Sequence, residues 1–128
     1  MTGPTHLTTI PMQIIRGCLV ASVQVELTED LLMEFQQELL ERIGTSHVQG
    51  VVLDVSGVKV MDSLDFEVLR DTMTMASIMG ATPIIVGIRP GIVSALIDMD
   101  VDVSRVRAAL NVDDALKMLG TKRRSPNR

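Results

Sequence analysis

The sequence contains no tryptophan or tyrosine and only two phenylalanines, so that aromatic residues make up 2% of its 128 residues. Hydrophobic residues nevertheless reach 46%, and nine of them are methionines. A chain of this length and composition can bury one core of ordinary size, which must here be built from aliphatic side chains and methionine. Because methionine is flexible and fills irregular gaps, the composition predicts a single domain with an adaptable core.

Cysteine and histidine are scarce as well. The lone Cys18 excludes an internal disulfide and any multi-cysteine metal site, and its place in an apolar run indicates a packed side chain rather than a reactive thiol. His6 lies in a polar N-terminal stretch and His47 in a short polar segment, so both are expected to be solvated loop residues rather than catalytic bases. P-loop, His/Cys metal-ligand and nucleophile-elbow spacings are missing too. We therefore expect no metal, no cofactor and no catalytic centre.

Long apolar runs and an excess of positive charge are also missing. The apolar runs are far shorter than the roughly 18 residues of a membrane-spanning helix, and no basic segment followed by an apolar one opens the chain. The net charge is −4, and the one basic cluster, Lys122, Arg123 and Arg124, lies in a C-terminal segment with Ser, Pro and Asn. The sequence therefore predicts a soluble cytoplasmic protein that binds neither a membrane nor nucleic acid.

The spacing of apolar residues predicts the element order ββαβαβαβα. Strands are expected at residues 12–15, 18–25, 51–55 and 82–86 and around Val106. Helices are expected to start after the caps Thr28, Asp62 and Asn111 and at Pro90. The first, second and fourth of these helices are expected to end at Gly44, Gly80 and Gly120.

Strands that alternate with helices imply an α/β fold with a mostly parallel sheet and helices packed on it. The first two strands are joined by a short turn at Arg16-Gly17, so they are expected to form an N-terminal antiparallel hairpin at the edge of that sheet. We expect one domain over residues 10–119, a flexible N-terminus at 1–9 and a flexible basic tail at 120–128.

A serine stands between two aspartates where the third strand gives way to a helix. If Asp62 is the N-cap, Asp65 occupies the third helical position, and the pair resembles a capping box. Ser63 then opens the helix with a hydroxyl that capping does not use, at a helix end that favours anions. A phosphate there would crowd both acids and change binding to a neighbour more than it changes the fold. Local spacing alone favours the alternative that Ser63 is an ordinary helix-start residue.

The helix that follows Asp62 has more apolar surface than one sheet contact needs. Its apolar arc spans roughly 200°, whereas a helix resting on a sheet needs about half of that. The surplus predicts a second contact, either with a neighbouring helix of the same domain or with another subunit. The two adjoining parts of the arc are Leu64, Val68, Met75 and Met79, and Phe66, Leu69, Met73 and Ala76.

Asp54 suggests a different function, that of a phospho-acceptor aspartate. An acid at the end of a central strand is where a receiver-type domain has its phospho-acceptor aspartate. Such chemistry needs Mg²⁺, hence further acids near the end of the first strand, and a lysine late in the sheet. The predicted hairpin at 12–25 contains no acid and no lysine follows residues 82–86, so this hypothesis is the weaker one.

The element order, the Asp62-Ser63 pair after the third strand, and the segments "MASIMGA" and "VGIRP" resemble a STAS domain of the anti-anti-sigma family. Within that family, residues 10–119 are most similar to the small scaffold proteins of the stressosome. The resemblance implies that a switch-type serine kinase phosphorylates Ser63, that a phosphatase reverses this, and that the chain assembles with sensor-bearing STAS paralogues. It also implies a non-catalytic scaffold that holds the kinase through Asp62, Ser63, Leu64 and Asp65 and associates as a dimer or larger assembly.

Two other functions stay open within the same family. A simple anti-anti-sigma factor would bind an anti-sigma kinase, although sporulation-type members usually have a glycine where Asp65 and Phe66 stand here. A ligand-binding STAS module would instead sense a small molecule or nucleotide in the loops at the strand ends. Sensor-bearing paralogues carry a second phosphorylation site, a threonine, in the helix after the turn that corresponds to "GIRP". Ser94 lies near that position but is not assigned to it, and no second site is predicted.

Overall fold

The computed structural model describes residues 10–24, 26–103 and 106–123. His6, Val25 and Arg124 lie outside these ranges. The element order is the predicted one: β1 (Met12–Ile15), β2 (Cys18–Ser22), α1 (Glu29–Ser46), β3 (Gly50–Asp54), α2 (Ser63–Ile78), β4 (Thr82–Val86), α3 (Pro90–Asp98), β5 (Ala108–Ala109) and α4 (Val112–Arg123). Among the described residues, no helix combines the length and the apolarity that a membrane span requires.

The five strands form one sheet in the order β1-β2-β3-β4-β5. β1 and β2 are antiparallel, and every other neighbouring pair is parallel. The hairpin turns at Arg16 and Gly17, whose φ angles of 53° and 78° suit the tight turn that matches the twist of antiparallel strands. These observations confirm the predicted α/β fold with an N-terminal antiparallel hairpin.

Alternate side chains of the central strands face two apolar clusters on opposite sides of the sheet. Leu19 and Leu53 belong to the larger cluster, which α1, α2 and α3 cover. Val20 and Val52 belong to the smaller cluster, which α4 covers. Cys18 is buried in this smaller cluster, in agreement with the packed side chain expected from its apolar surroundings.

The strands differ from their predicted bounds by a few residues. β2 ends at Ser22 rather than at residue 25, and β3 starts at Gly50 rather than at residue 51 and ends at Asp54. The two strands pair in parallel from Cys18 with Gly50 to Ser22 with Asp54, so the pairing fixes both of their ends together. The last strand forms at Ala108–Ala109, where it pairs with β4, and not around Val106.

Helix α1 begins as predicted but ends later. The Thr28 side chain accepts a hydrogen bond from the Leu31 backbone N–H at 3.1 Å, so Thr28 is the N-cap. The prediction that Gly44 ends the helix is wrong, because α1 continues to Ser46. The C-cap is His47, which is exposed, adopts the left-handed conformation with φ 54°, and donates its backbone N–H to Ile43. His47 therefore has a structural role at the surface.

Helix α4 also has its predicted start and a later end. The backbone N–H of Asp114 donates to Asn111 Oδ1 at 2.8 Å, which satisfies the first turn. The prediction that Gly120 ends this helix is wrong, because α4 extends to Arg123. Gly120 is not among the glycines with positive φ, so it continues the helix instead of terminating it. Residues 120–123, placed in the predicted basic tail, are therefore helical.

The helical conformation of Gly120 predicts the effect of a substitution there. Because a methyl group at Gly120 meets no atom within 4 Å, Gly120→Ala should raise the free energy of unfolding by about 0.5–1 kcal/mol through the higher helix propensity of alanine. Urea titration followed by circular dichroism measures the change. A loss of stability would contradict the helical assignment. Gly80→Ala is the matched control, since its site is equally open but has φ +97°, and it should destabilise.

The apolar arc of α2 divides into a buried part and an exposed part. Phe66, Leu69, Met73 and Ala76 are buried in the larger cluster, whereas Leu64, Met75 and Met79 are exposed. Helix α1 covers one side of α2, where Gln36 Nε2 donates to the buried Thr72 Oγ1 at 2.9 Å. A neighbouring helix thus provides part of the predicted second contact, and an apolar remainder faces outward.

Candidate functional site at the start of helix α2

Asp62 and Asp65 fix the start of α2 through a reciprocal pair of hydrogen bonds. The Asp65 backbone N–H donates to Asp62 Oδ1 at 2.8 Å, and the Asp62 backbone N–H donates to Asp65 Oδ2 at 3.1 Å. Asp62 has extended backbone angles, as an N-cap residue requires. The capping box predicted from the spacing of the two acids is therefore present, and both carboxylates are engaged by backbone donors.

The environment of the Asp65 carboxyl disfavours its charged form. Burial raises its pKa above the ordinary value, and the nearby charge of Asp62 adds to the rise, while the Asp62 backbone N–H bonded to the carboxylate opposes it. Ionised Asp65 therefore already costs the folded state free energy. Additional negative charge beside it, such as a phosphate on Ser63, would increase this cost.

Ser63 is the first residue of α2 and is half-buried. Asp62, not Ser63, accepts the capping hydrogen bond, and within the described part of the chain the structure gives no hydrogen bond to the Ser63 hydroxyl. The hydroxyl is thus left unused by the capping arrangement, as the spacing predicted. It lies at a helix N-terminus, where free backbone N–H groups and the helix dipole favour an anion.

Two exposed apolar side chains lie close to Ser63 in the sequence, one three residues before it and one directly after it. Leu64 is 69% exposed and Val60 is 76% exposed, whereas Met61 between them is buried. We call the surface formed by Val60, Asp62, Ser63, Leu64 and Asp65 the switch surface. Sequence reasoning included Leu64 but missed Val60, because the segment around it has no helical or alternating period that would separate buried from exposed side chains.

The loop that leads into α2 is held by its neighbours at the carboxyl end of the sheet. The Val55 backbone N–H donates to Val86 at 2.9 Å, and Arg89 Nη2 donates to the Ser56 carbonyl at 3.1 Å. Val58 and Met61 insert their side chains into the core. These contacts attach the loop before Ser63 to both β4 and the start of α3, so they hold the switch surface in a defined position relative to the sheet.

Asp54 ends β3 as predicted, and its carboxylate takes part in the turn that follows. Asp54 Oδ1 accepts a hydrogen bond from the Ser56 backbone N–H at 3.0 Å. Within residues 10–24, 26–103 and 106–123, no group of three or more His, Cys, Asp or Glu side chains is arranged to hold a metal ion. The geometry thus gives Asp54 a turn-forming role at the end of the strand.

A family model for the STAS domain matches residues 9–115. The chain belongs to the STAS domain family. This confirms the resemblance inferred from the Asp62-Ser63 pair and the surrounding segments, and the family is not that of the receiver domains that the Asp54 hypothesis requires. None of the curated proteins compared with the chain matches it in sequence.

Two solved STAS structures are similar to this STAS domain in sequence as well as in fold. A serine-to-glutamate variant of RsbS from Moorella thermoacetica has 26% sequence identity and a TM-score of 0.79, over 92% of this chain and 100% of that chain. A chain of the stressosome, described as a signal integration and transduction hub, has 28% identity and a TM-score of 0.72, over 90% and 100%.

Fold similarity extends to more distant anti-sigma factor antagonists. SpoIIAA in its unphosphorylated form has 12% sequence identity to this chain and a TM-score of 0.65, over 91% of this chain and 100% of that one. At this level of identity the comparison shows the shared fold alone. The properties of the switch surface therefore depend on the residues that this chain itself places there.

Proposed function

We propose that this STAS domain is a non-catalytic scaffold and anti-anti-sigma-type regulator of the stressosome kind, which holds a serine kinase until Ser63 is phosphorylated. Its similarity to RsbS and to the stressosome chain, over nine tenths or more of each, supports an anti-anti-sigma role. The main support for a phosphorylation switch is the capping box of Asp62 and Asp65, which leaves the Ser63 hydroxyl unused at the start of the helix. The glutamate in the Moorella variant replaces a serine with negative charge, as phosphorylation would.

The switch surface suits a partner that binds unphosphorylated serine. Exposed Val60 and Leu64, three residues before and one residue after Ser63, offer apolar contact area, and burying such area against a kinase is favourable. A phosphate adds about −1.5 to −2 charges at pH 7. In a contact that includes these apolar side chains, the charge would have to be desolvated for the kinase to stay bound, and Asp62 and Asp65 supply no positive partner for it. Phosphorylation should therefore release the kinase.

The fold should survive the same phosphate. The helix N-terminus attracts negative charge, which offsets part of the repulsion from Asp62 and Asp65. Ser63 also contributes no hydrogen bond to the capping box that the phosphate would have to break. The switch is thus a change in binding, which a phosphatase that removes the group would reverse.

The outward part of α2 supports assembly with other STAS domains. Met75 and Met79 are exposed there, beside the strongly exposed Ile78 at the end of the helix. Contiguous exposed apolar side chains of this kind are typical of protein–protein contact sites. We propose that this surface serves self-association or co-assembly with sensor-bearing STAS paralogues, while the switch surface at the opposite end of α2 contacts the kinase.

Phosphate transfer tests the site directly. After incubation with ATP and a switch-type serine kinase of the same organism, the wild-type chain should gain the mass of one phosphate, and Ser63→Ala should gain none, because its acceptor oxygen is gone. Intact-mass spectrometry measures both.

Ser94→Ala is the matched control, since Ser94 is an exposed serine on another helix, and it should be phosphorylated like wild type. A wild-type chain that accepts no phosphate would contradict the proposal, as would equal phosphorylation of Ser63→Ala. Treatment with hydroxylamine adds a chemical check, because it cleaves an acyl phosphate on an aspartate such as Asp54 and leaves phosphoserine intact.

A further inference from the structure

A cavity of about 740 Å³ lies at the other end of α2 from Ser63, beside the beginning of β4. This volume falls within the range of about 300–1,000 Å³ that is usual for small-molecule sites. Helix α2 contributes Arg70, Thr74 and Ser77 to its lining, and the segment that leads into β5 contributes Arg107. The cavity shares no residue with the switch surface.

Two arginines make this cavity cationic. Arg70 is half-buried, and its Nη1 donates to the Asp102 carbonyl at 3.0 Å, which holds the guanidinium in place while its other N–H groups remain as donors. The side-chain ion pairs Arg42–Glu38 and Lys117–Asp113, both between described residues, involve neither Arg70 nor Arg107. Asp102 also lines the cavity. Two guanidinium groups and one carboxylate leave the lining with a net positive charge.

Besides the arginines and Asp102, the cavity is lined by apolar side chains at its base and by hydroxyl groups. Met73 and Ala81 are buried in the core beneath the cavity. Thr74 and Ser77, on successive turns of α2, also contribute hydroxyl groups to the lining. The Thr74 hydroxyl donates to the Arg70 carbonyl at 3.1 Å, so its oxygen remains as an acceptor for a ligand, whereas the Ser77 hydroxyl can accept or donate. A ligand with an apolar body and one anionic group would match both parts of the lining.

We propose that this cavity binds a small organic anion, a carboxylate or a phosphate monoester, through Arg70 and Arg107. Arginine presents N–H donors in a planar fork that matches both carboxylate and phosphate oxygens. The apolar body of the ligand lies against Met73 and Ala81, where its burial adds affinity. The site is independent of Ser63, so ligand binding does not require the phosphate switch to exist.

Benzoate and phenyl phosphate are suitable probes. Phenol serves as a control that has the aromatic ring without the anionic group, and inorganic phosphate as a control that has the anionic group without the ring. In amide ¹H–¹⁵N spectra at low salt, at least one of the two organic anions should cause saturable shifts that centre on residues 70–83 and 106–107. The stronger of the two identifies the anionic group that the site prefers. Phenol and inorganic phosphate should each bind more weakly than the better organic anion, because phenol lacks the group that binds the arginines and inorganic phosphate lacks the apolar part.

Arg107→Gln should weaken that binding by about tenfold or more, the usual effect of losing a charge-assisted hydrogen bond. Arg70→Gln should do the same and provides a second test, while Arg42→Gln, which removes an equal charge from an exposed position on α1, should bind like wild type. Ser63→Ala should also bind normally. Absence of saturable shifts with both organic anions would overturn the proposal, and so would unchanged affinity in both Arg107→Gln and Arg70→Gln.

Discussion

Gly87→Ala is expected to lower the free energy of unfolding by about 2–5 kcal/mol, the sum of two separate costs. Gly87 has φ +79°, in the left-handed region, where a side chain costs about 1–2 kcal/mol. A Cβ atom there would also lie 2.7 Å from Ser56 Cβ and 3.0 Å from the Ser56 backbone N. Relieving such overpacking costs typically about 1–3 kcal/mol, because the backbone of Ser56 cannot rotate away as a flexible side chain could.

The contact between Gly87 and Ser56 matters for function because Ser56 belongs to the loop that leads to the switch surface. Urea titration of Gly87→Ala and Gly80→Ala separates the two costs. Gly80 has φ +97°, and a methyl group added to it would meet no atom within 4 Å, so Gly80→Ala should carry only the conformational cost. Equal losses of stability in the two variants would show that the close approach of Gly87 to the loop contributes nothing.

The helix starts could be predicted from the sequence because a cap depends on residues within one turn. Thr28, Asp62 and Asn111 each accept a backbone N–H three residues further on, which is the spacing that the sequence displays. The availability of the Ser63 hydroxyl followed from the same local geometry. These features required no knowledge of what lies elsewhere in the fold.

The helix ends depended on more than the local residue type. Glycine inside a helix costs only about 0.5–1 kcal/mol relative to alanine, and each misjudged glycine directly follows a buried side chain, Ile43 before Gly44 and Leu119 before Gly120. Core packing of these neighbours outweighs the weak local preference, so both helices continue. Gly80 does adopt a positive φ, and α2 ends just before it as predicted.

The remaining parts of the site are set by tertiary contacts. Val60 is exposed, whereas Val58 and Met61 of the same loop are buried in the core. Arg70 and Arg107 are far apart in the sequence and meet at one cavity only because α2 packs beside the approach to β5. A single sequence contains no spacing rule that predicts either arrangement.

Ser63→Glu is expected to lower the affinity for the serine kinase by about tenfold or more, comparable to the loss of an interface hot spot. The carboxylate would stand on the same surface as the exposed Val60 and Leu64, and kinase binding there would require it to be desolvated. The free energy of unfolding should change by no more than about 1 kcal/mol, since attraction to the helix N-terminus and repulsion from the two aspartates oppose each other. Isothermal titration calorimetry with the kinase and urea unfolding measure the two quantities.

Ser94→Glu adds the same charge at an exposed serine on α3 and should leave kinase affinity unchanged. Equal weakening by both variants would point to long-range repulsion by net charge instead of a local switch at Ser63. Salt distinguishes the same two mechanisms, because repulsion between exposed charges is screened over about 10 Å at 0.1 M ionic strength. A desolvation cost at the contact is much less sensitive to salt, so the weakening by Ser63→Glu should persist at high ionic strength if the carboxylate acts at the switch surface itself.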